Sequence, residues 1–331
     1  MPVTLYSSSD AGAPALRGNS PGDLINLLEK CLVSGYGSKA GAGWTMPYSG
    51  GNVAAFRQGA GSNGMYLRVD DSQEVASGAR AARCVAYESM SSIGDGSPSP
   101  FPTEAQVPGG IYMTTSVPAD FAGRNNARPW WLVADATGFW LYYRATTRAA
   151  ATATWGFVLT GFGDFDAASA SDSFNTALSG ATTPTTDQSG SHPSPFTWSS
   201  ATSLTSVSSA NASFVARSYV GTGAPVAAAV FNETWIGSAT SVFATAAGNS
   251  GYRPFVNPAD GRATAGRIGI VETGSPAAVR GVLRGLRAFG AQPAGIAPGD
   301  TFTDNLTSPG LSYLACPAAA QTAYVQCSGD W

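Results

Sequence analysis

Apolar residues recur every three or four positions near the start of the chain, which predicts one helix over about residues 21–34. Ser20 is a candidate cap, Pro21 suits a first helical turn, and Asp23 stands where a capping-box acid would. Gly35 follows the segment, as glycines commonly do where a helix ends. The apolar positions with helical spacing are Leu24, Leu27, Leu28, Cys31 and Leu32. This helix is predicted to pack on the core and carries no chemistry.

After the helix the pattern changes to short alternating or fully apolar runs, which predict strands. The clearest hairpin joins 130–133 to 139–143 through a turn at 135–138. Both arms are apolar on both faces, so we expect this hairpin to be central and covered on each side. Further strands are predicted at 65–70, 83–87, 155–160, 213–220, 225–232, 266–272, 312–316 and 323–327.

The many short strands and the turns rich in Gly, Pro and Ser predict a mainly β fold, with a sandwich- or barrel-like body and long loops. A segment at 179–211 has almost no charge and is rich in Ser, Thr and Pro, which is typical of a long loop or linker. It separates a β-rich region with the helix, 1–178, from a second β-rich region, 212–331. Strands from both regions could also form one continuous domain.

The composition excludes several classes of function. Only 12% of the residues are charged, about half the usual share, and the net charge of −3 argues against a broadly basic nucleic-acid binder. No segment has the length and apolar character of a membrane helix. Phosphate-binding and dinucleotide-binding glycine motifs are absent. We expect no direct contact with nucleic acid or membrane.

Candidate catalytic groups are few. The single histidine, His192, lies near Asp187 and several serines, but in a loop that offers no rigid scaffold for a catalytic triad. Asp164 and Asp166 could offer oxygens to calcium, yet no calcium-loop pattern follows them. We therefore expect a protein that is not an enzyme, with no catalytic residues, no cofactor and no metal site.

The four cysteines leave two interpretations open. One is that all four are reduced, small apolar residues of the core. The other is a disulfide formed after release from the cell, and for it the candidate pair is Cys316 and Cys327, which two strands of a hairpin could bring together. Cys31 and Cys84 are expected to remain reduced in the core.

The most concentrated positive charge falls between positions 262 and 287. On a helix, Val279, Val282, Leu283 and Leu286 would form one face and the last three arginines the other, although Gly281 and Gly285 leave a strand or loop possible. Arginine is favoured at protein interfaces, so this segment and Trp331 are the candidate contact with another subunit. An ordinary solvated face with a local ion pair is the alternative. The candidate interface residues are Arg262, Arg267, Arg280, Arg284, Arg287 and Trp331.

Several strings of residues resemble a family of virion structural proteins of tailed bacteriophages, encoded among head and tail genes. The resemblance covers most of the chain apart from 179–211. The strings include YSSSDAGAP at 6–14, DLINLLEKCLVSGYGSK at 23–39, GMYLRVDD at 64–71, PWWLVADATGFWLYY at 129–143 and GRIGIVETGSPAAVRGVLRGLRA at 266–288.

This resemblance implies a non-enzymatic component of the phage virion, most consistent with a neck, collar or tail-associated protein present in symmetric copies. Its partners would be further copies of itself and other virion proteins, and it would be assembled in the host cytoplasm. A capsid decoration protein is one alternative. A carbohydrate-binding adhesin or fibre component is another, in which Phe196 and Trp198 would stack on sugar rings.

Overall fold

Antiparallel strands dominate the computed structural model, with 52% strand and 5% helix, which confirms the predicted mainly β fold. The structure describes residues 2–72, 74–76, 79–116, 123–146, 156–183, 211–221, 223, 225–232, 266–272, 278–289, 296–304, 308–318 and 321–331.

In these ranges the strands are β1 (Thr4–Ser7), β2 (Thr45–Gly50), β3 (Val53–Arg57), β4 (Tyr66–Asp70), β5 (Glu74–Ala76), β6 (Ala79–Tyr87), β7 (Ser89–Ser92), β8 (Asp95–Ser97), β9 (Ile111–Ser116), β10 (Trp130–Ala134), β11 (Gly138–Arg144), β12 (Phe157–Asp164), β13 (Asp166–Ala167), β14 (Thr176–Ala181), β15 (Asn211–Val215), β16 (Val226–Asn232), β17 (Gly266–Glu272), β18 (Ala278–Phe289), β19 (Thr301–Thr303), β20 (Ser312–Ala318) and β21 (Gln321–Gln326). The helix α1 covers Asp23–Leu28 and continues as a π-helix, Glu29–Ser34.

The strands form three layers. Hydrogen bonds connect β1, β10, β11, β12 and β14 into a central sheet. One of its faces packs on α1 and on the sheet β2–β3–β4–β6–β9. Its other face packs on β15, β16, β17, β18, β21 and β20. The central sheet is therefore apolar on both sides.

The predicted hairpin is this central element, as expected. In β10 and β11 Leu132 faces Leu141, and both are fully buried in the first core. The neighbouring pair, Val133 and Trp140, points into the second core. Asp135 holds the turn, because its Oδ1 accepts hydrogen bonds from the backbone N–H groups of Thr137 and Gly138.

The helix begins differently from the prediction. Ser20 does not cap α1 with its side chain; the residue before the helix is Gly22, whose φ of +89° favours glycine. The cap comes from Asp71 after β4, whose Oδ2 accepts the N–H groups of Gly22 at 2.7 Å and Leu24 at 3.3 Å. Asp23 binds Arg17 instead of closing a capping box.

Burial of the Asp71 carboxyl raises its pKa to about 6, and the two accepted hydrogen bonds only partly oppose this. A raised acid pKa means that the folded chain binds this proton more tightly than the unfolded chain. Stability from this group is therefore greatest below about pH 4 and falls as the pH rises to about 6.

The Asp71→Asn variant should lose this part of the pH dependence. Relative to wild type, its free energy of unfolding should rise by up to about 3 kcal/mol between pH 4 and pH 7. Urea denaturation at pH 4 and pH 7 measures the free energy of unfolding of each protein. Asp71→Ala is the control: it removes the helix cap, so it should be less stable than Asp71→Asn at both pH values. If the difference in free energy of unfolding between wild type and Asp71→Asn does not change with pH, the raised pKa of Asp71 is contradicted.

The two predicted regions share one sheet, since β14 and β15 pair across the Ser/Thr-rich segment. That segment is also shorter than predicted, because 179–181 belong to β14 and β15 begins at Asn211. Phe196, Trp198, Asp187 and His192 lie outside the described residues. Among the described helices, none is long and apolar enough to cross a membrane.

Candidate functional site

The described residues of the arginine segment form two strands, β17 and β18, so the helical interpretation of positions 279–287 was wrong. β18 pairs with β17 on one side, and with β21 and the short β13 on the other. Val279, expected on the apolar face of a helix, is 61% exposed, whereas Arg280 is 2% exposed. The cause is a bulge: Val271 faces Val279 and Ile270 faces Gly281, so Arg280 is the extra residue and its side chain turns inward.

Arg280 is the centre of a buried ionic network. Its Nε donates to Asp172 Oδ2 at 2.9 Å, and its Nη1 donates to Glu272 Oε2 at 3.1 Å and to the carbonyl oxygen of Arg217 at 2.7 Å. The Arg280 side chain is only 1% exposed. Arg280 is therefore a structural residue that joins three parts of the chain, which contradicts its prediction as an interface arginine.

A second ion pair extends this network to the junction between β6 and β7. The Arg217 guanidinium makes a two-point contact with Glu88, at 2.6 and 2.8 Å, and lies 4.3 Å from the centre of the Phe174 ring. Its Nη1 also binds the carbonyl oxygen of Gly221. The loop 216–221 is thus fixed at both of its ends.

The other predicted arginines lie further along the hairpin. Arg284 donates to Asp166 at 2.7 Å, but the Asp166 side chain is 60% exposed, so this pair adds little stability. Arg287 donates to the Tyr313 hydroxyl at 3.2 Å and lies over that ring. Arg267 faces Arg287 directly in the register and is exposed. Arg262 lies outside the described residues.

Trp331 does lie against the arginine segment. Its ring covers Gly285, where a Cβ atom would come within 2.3 Å of the indole nitrogen, and that nitrogen donates to the carbonyl oxygen of Gln326. Beside the ring is a cavity of about 10 Å³, lined partly by Leu283 and Arg284. The structure brings these residues together, while a contact of Trp331 with another subunit remains a prediction.

The predicted disulfide is not formed. Cys316 faces Ala323, and the N–H of Cys327 binds the carbonyl oxygen of Ser312, which places the cysteines four positions apart along the paired strands. That spacing is about 13 Å, roughly twice what a disulfide spans. All four cysteines are free thiols, and Cys31 and Cys84 are buried as expected. Burial raises the pKa of Cys327 to about 11 and holds the pKa of Cys316 well above its usual range, so neither thiol is activated.

The acids considered for calcium have structural partners. Asp164 is buried and accepts hydrogen bonds from Gln58, Thr176 and the N–H of Asn63. Burial raises the pKa of its carboxyl, against the effect of those bonds. Within the described part of the chain, no group of three or more His, Cys, Asp or Glu residues could hold a metal ion.

No protein-family model matches the chain, and no curated protein matches it. Sequence reasoning missed Glu88, Asp172 and Arg217, which build the ionic network with Arg280 and Glu272. No local pattern marks them, because Arg217 and Glu88 are 129 positions apart and Arg280 and Asp172 are 108 apart.

Proposed function

We propose that this protein is a non-enzymatic structural component of a tailed-phage virion, located at the neck, collar or tail in symmetric copies. The observation that carries the proposal is where the family-like strings fall in the fold. The string at 129–143 forms the central hairpin β10–β11, and the string at 266–288 spans β17 and β18. The string at 64–71 contains β4 and the helix-capping Asp71. The resemblance thus follows the framework of the body.

The roles of the buried charged groups support the same proposal. Asp71 caps a helix, Asp164 ties the loop between β3 and β4 to the start of β14, and Arg280 with its two carboxylates fastens β18 to its neighbours. Each of these groups forms hydrogen bonds with the backbone or with side chains of the same chain. Such a distribution suits a rigid building unit, in which charge is used to fix loop shape.

Quantitative mass spectrometry of purified phage particles tests the proposal. We expect the chain in the particle at roughly six or twelve copies, or a small multiple, as closed symmetry at a neck or tail requires. On the order of hundreds of copies would indicate a capsid decoration protein. Absence from the particle, while the known capsid protein is detected in the same sample, would refute a structural role.

The adhesin alternative makes a separate prediction. Binding of the purified chain to a glycan array, abolished by replacing Trp198 with alanine, would favour it over the neck or tail assignment.

A further inference from the structure

The sequence contains one Asn-Gly dipeptide, Asn63-Gly64, in the loop between β3 and β4. Asn63 is exposed, and Gly64 has a φ of +69°, which favours glycine. Asparagine is a chemically labile residue. A glycine after it increases this lability, because no side chain hinders the approach of the glycine nitrogen to the asparagine side chain. This loop is therefore a candidate site of spontaneous chemical modification.

The reaction needs only water. The backbone nitrogen of Gly64 attacks Cγ of Asn63, and a new C–N bond forms. The side-chain nitrogen of Asn63 leaves as ammonia and takes up the proton that the Gly64 nitrogen loses. Water then opens the cyclic imide at one of its two carbonyl groups, which leaves aspartate or isoaspartate at position 63. A neutral amide has become a negative charge.

In the folded chain, hydrogen bonds hold Asn63 in place. Its Nδ2 donates to Asn175 Oδ1 and to Thr176 Oγ1, both at 2.9 Å. Its backbone N–H donates to Asp164 Oδ2 at 2.9 Å. These bonds fasten the β3–β4 loop to the start of β14. Because the Asn63 side chain has to rotate before it can cyclise, we expect the reaction only after the loop opens locally.

Only a hydrogen-bond donor fits at the position of the Asn63 Nδ2 atom. The Thr176 hydroxyl donates to Asp164 Oδ1 at 2.6 Å, so it offers Asn63 a lone pair. The amide nitrogen of Asn175 donates to the carbonyl oxygen of Phe165, so its oxygen faces Asn63. A carboxylate at position 63 would meet these two acceptors and would lie near the carboxylate of Asp164. It could not restore the lost bonds.

We propose that Asn63 is a one-way chemical latch on the β3–β4 loop. It deamidates when the loop opens, and the resulting carboxylate keeps the loop from closing onto β14. The Asp164 carboxyl is buried and accepts the N–H of Asn63, so a second negative charge beside it makes closing more costly. The latch follows from these contacts and is independent of the proposed virion role.

Peptide mapping of the full chain by mass spectrometry, during storage at mildly alkaline pH, tests the opening step. Deamidation at Asn63 should be at least about tenfold slower in the folded chain than in the same chain unfolded in guanidinium chloride. Asn175→Ala removes one acceptor and should speed the reaction in the folded chain. Asn125→Ala is the matched control, because Asn125 also accepts a hydrogen bond from an asparagine side chain, that of Asn19, and should leave the rate at Asn63 unchanged.

Hydrogen exchange of the β3–β4 loop tests the closing step. Asn63→Asp reproduces one product of the reaction, and its loop amides should exchange about tenfold faster than those of wild type. Asn63→Ala removes the same two side-chain bonds without adding a charge, so its exchange should lie between the two. Wild type that has deamidated during storage gives the same comparison without a new folding step.

Other outcomes overturn the latch. Equal rates of deamidation in the folded and unfolded chain, or no deamidation at Asn63 in either, would show that opening of the loop does not control the reaction. Loop exchange in Asn63→Asp that equals that of wild type or of Asn63→Ala would show that the carboxylate does not keep the loop open.

Discussion

Replacing Arg280 with alanine should lower the free energy of unfolding by about 3–5 kcal/mol, the usual cost of removing one partner from a buried ion pair. Asp172 and Glu272, whose side chains are 7% and 12% exposed, would keep buried negative charge without their cation. The carbonyl oxygen of Arg217 would also lose its donor. Guanidinium denaturation followed by tryptophan fluorescence measures the change.

Arg284→Ala is the matched control, because Arg284 lies on the same strand but pairs with the exposed Asp166. Its cost should stay below about 1 kcal/mol. Adding Asp172→Asn and Glu272→Gln to Arg280→Ala should recover part of the lost stability by removing the buried charge. Equal losses for Arg280→Ala and Arg284→Ala would show that Arg280 is a solvated surface residue after all.

The parts of the fold that sequence predicted well depend on local patterns. The strand predicted at 266–272 has the bounds of β17, and the strand predicted at 225–232 begins one residue before β16. In the central hairpin, apolar residues on both faces predicted burial on both sides, because a strand between two layers has no polar face. The spacing of apolar residues and the residues of the turns both lie within a few positions of each strand, so the sequence predicts these strands well.

The arginine segment was harder because its apolar positions fit two periods. Leu283 and Leu286 are buried in the second core, three positions apart, as they would be on a helix. A strand allows this spacing only because its backbone is irregular near Gly285, whose φ is +65°. Without the strands on either side of β18, the pattern alone could not distinguish the two structures.

The remaining errors come from contacts between distant positions. The cap of α1 is Asp71, 49 positions after Gly22, so the local signal at Ser20 was misleading. The cysteine prediction assumed a hairpin, which β20 and β21 do form, but only the register fixes which residues face each other. A shift of that register by four positions would place Cys316 opposite Cys327. It would also break all of the pairs that β20 and β21 now form.

Gly285→Ala should be strongly destabilising, and the presence of Trp331 should account for much of the loss. A φ of +65° costs a residue with a Cβ about 1–2 kcal/mol, and the new Cβ would lie 2.3 Å from the indole nitrogen. Displacing the ring adds about 1–3 kcal/mol. Trp331→Ala alone should cost about 2 kcal/mol, less than for a fully buried tryptophan, since this ring is only partly buried.

In the double variant the alanine methyl group at position 285 has no ring to displace, so only the backbone strain remains. The double variant should therefore lose about 1–3 kcal/mol less stability than the sum of the losses of Gly285→Ala and Trp331→Ala. Urea denaturation of wild type, the two single variants and the double variant measures this coupling. Gly310→Ala is the control, because Gly310 has a similar positive φ of +88° with open space around it. Strict additivity, with Trp331→Ala as stable as wild type, would instead mean that the ring adds nothing to the monomer, as expected if Trp331 serves only a contact between subunits.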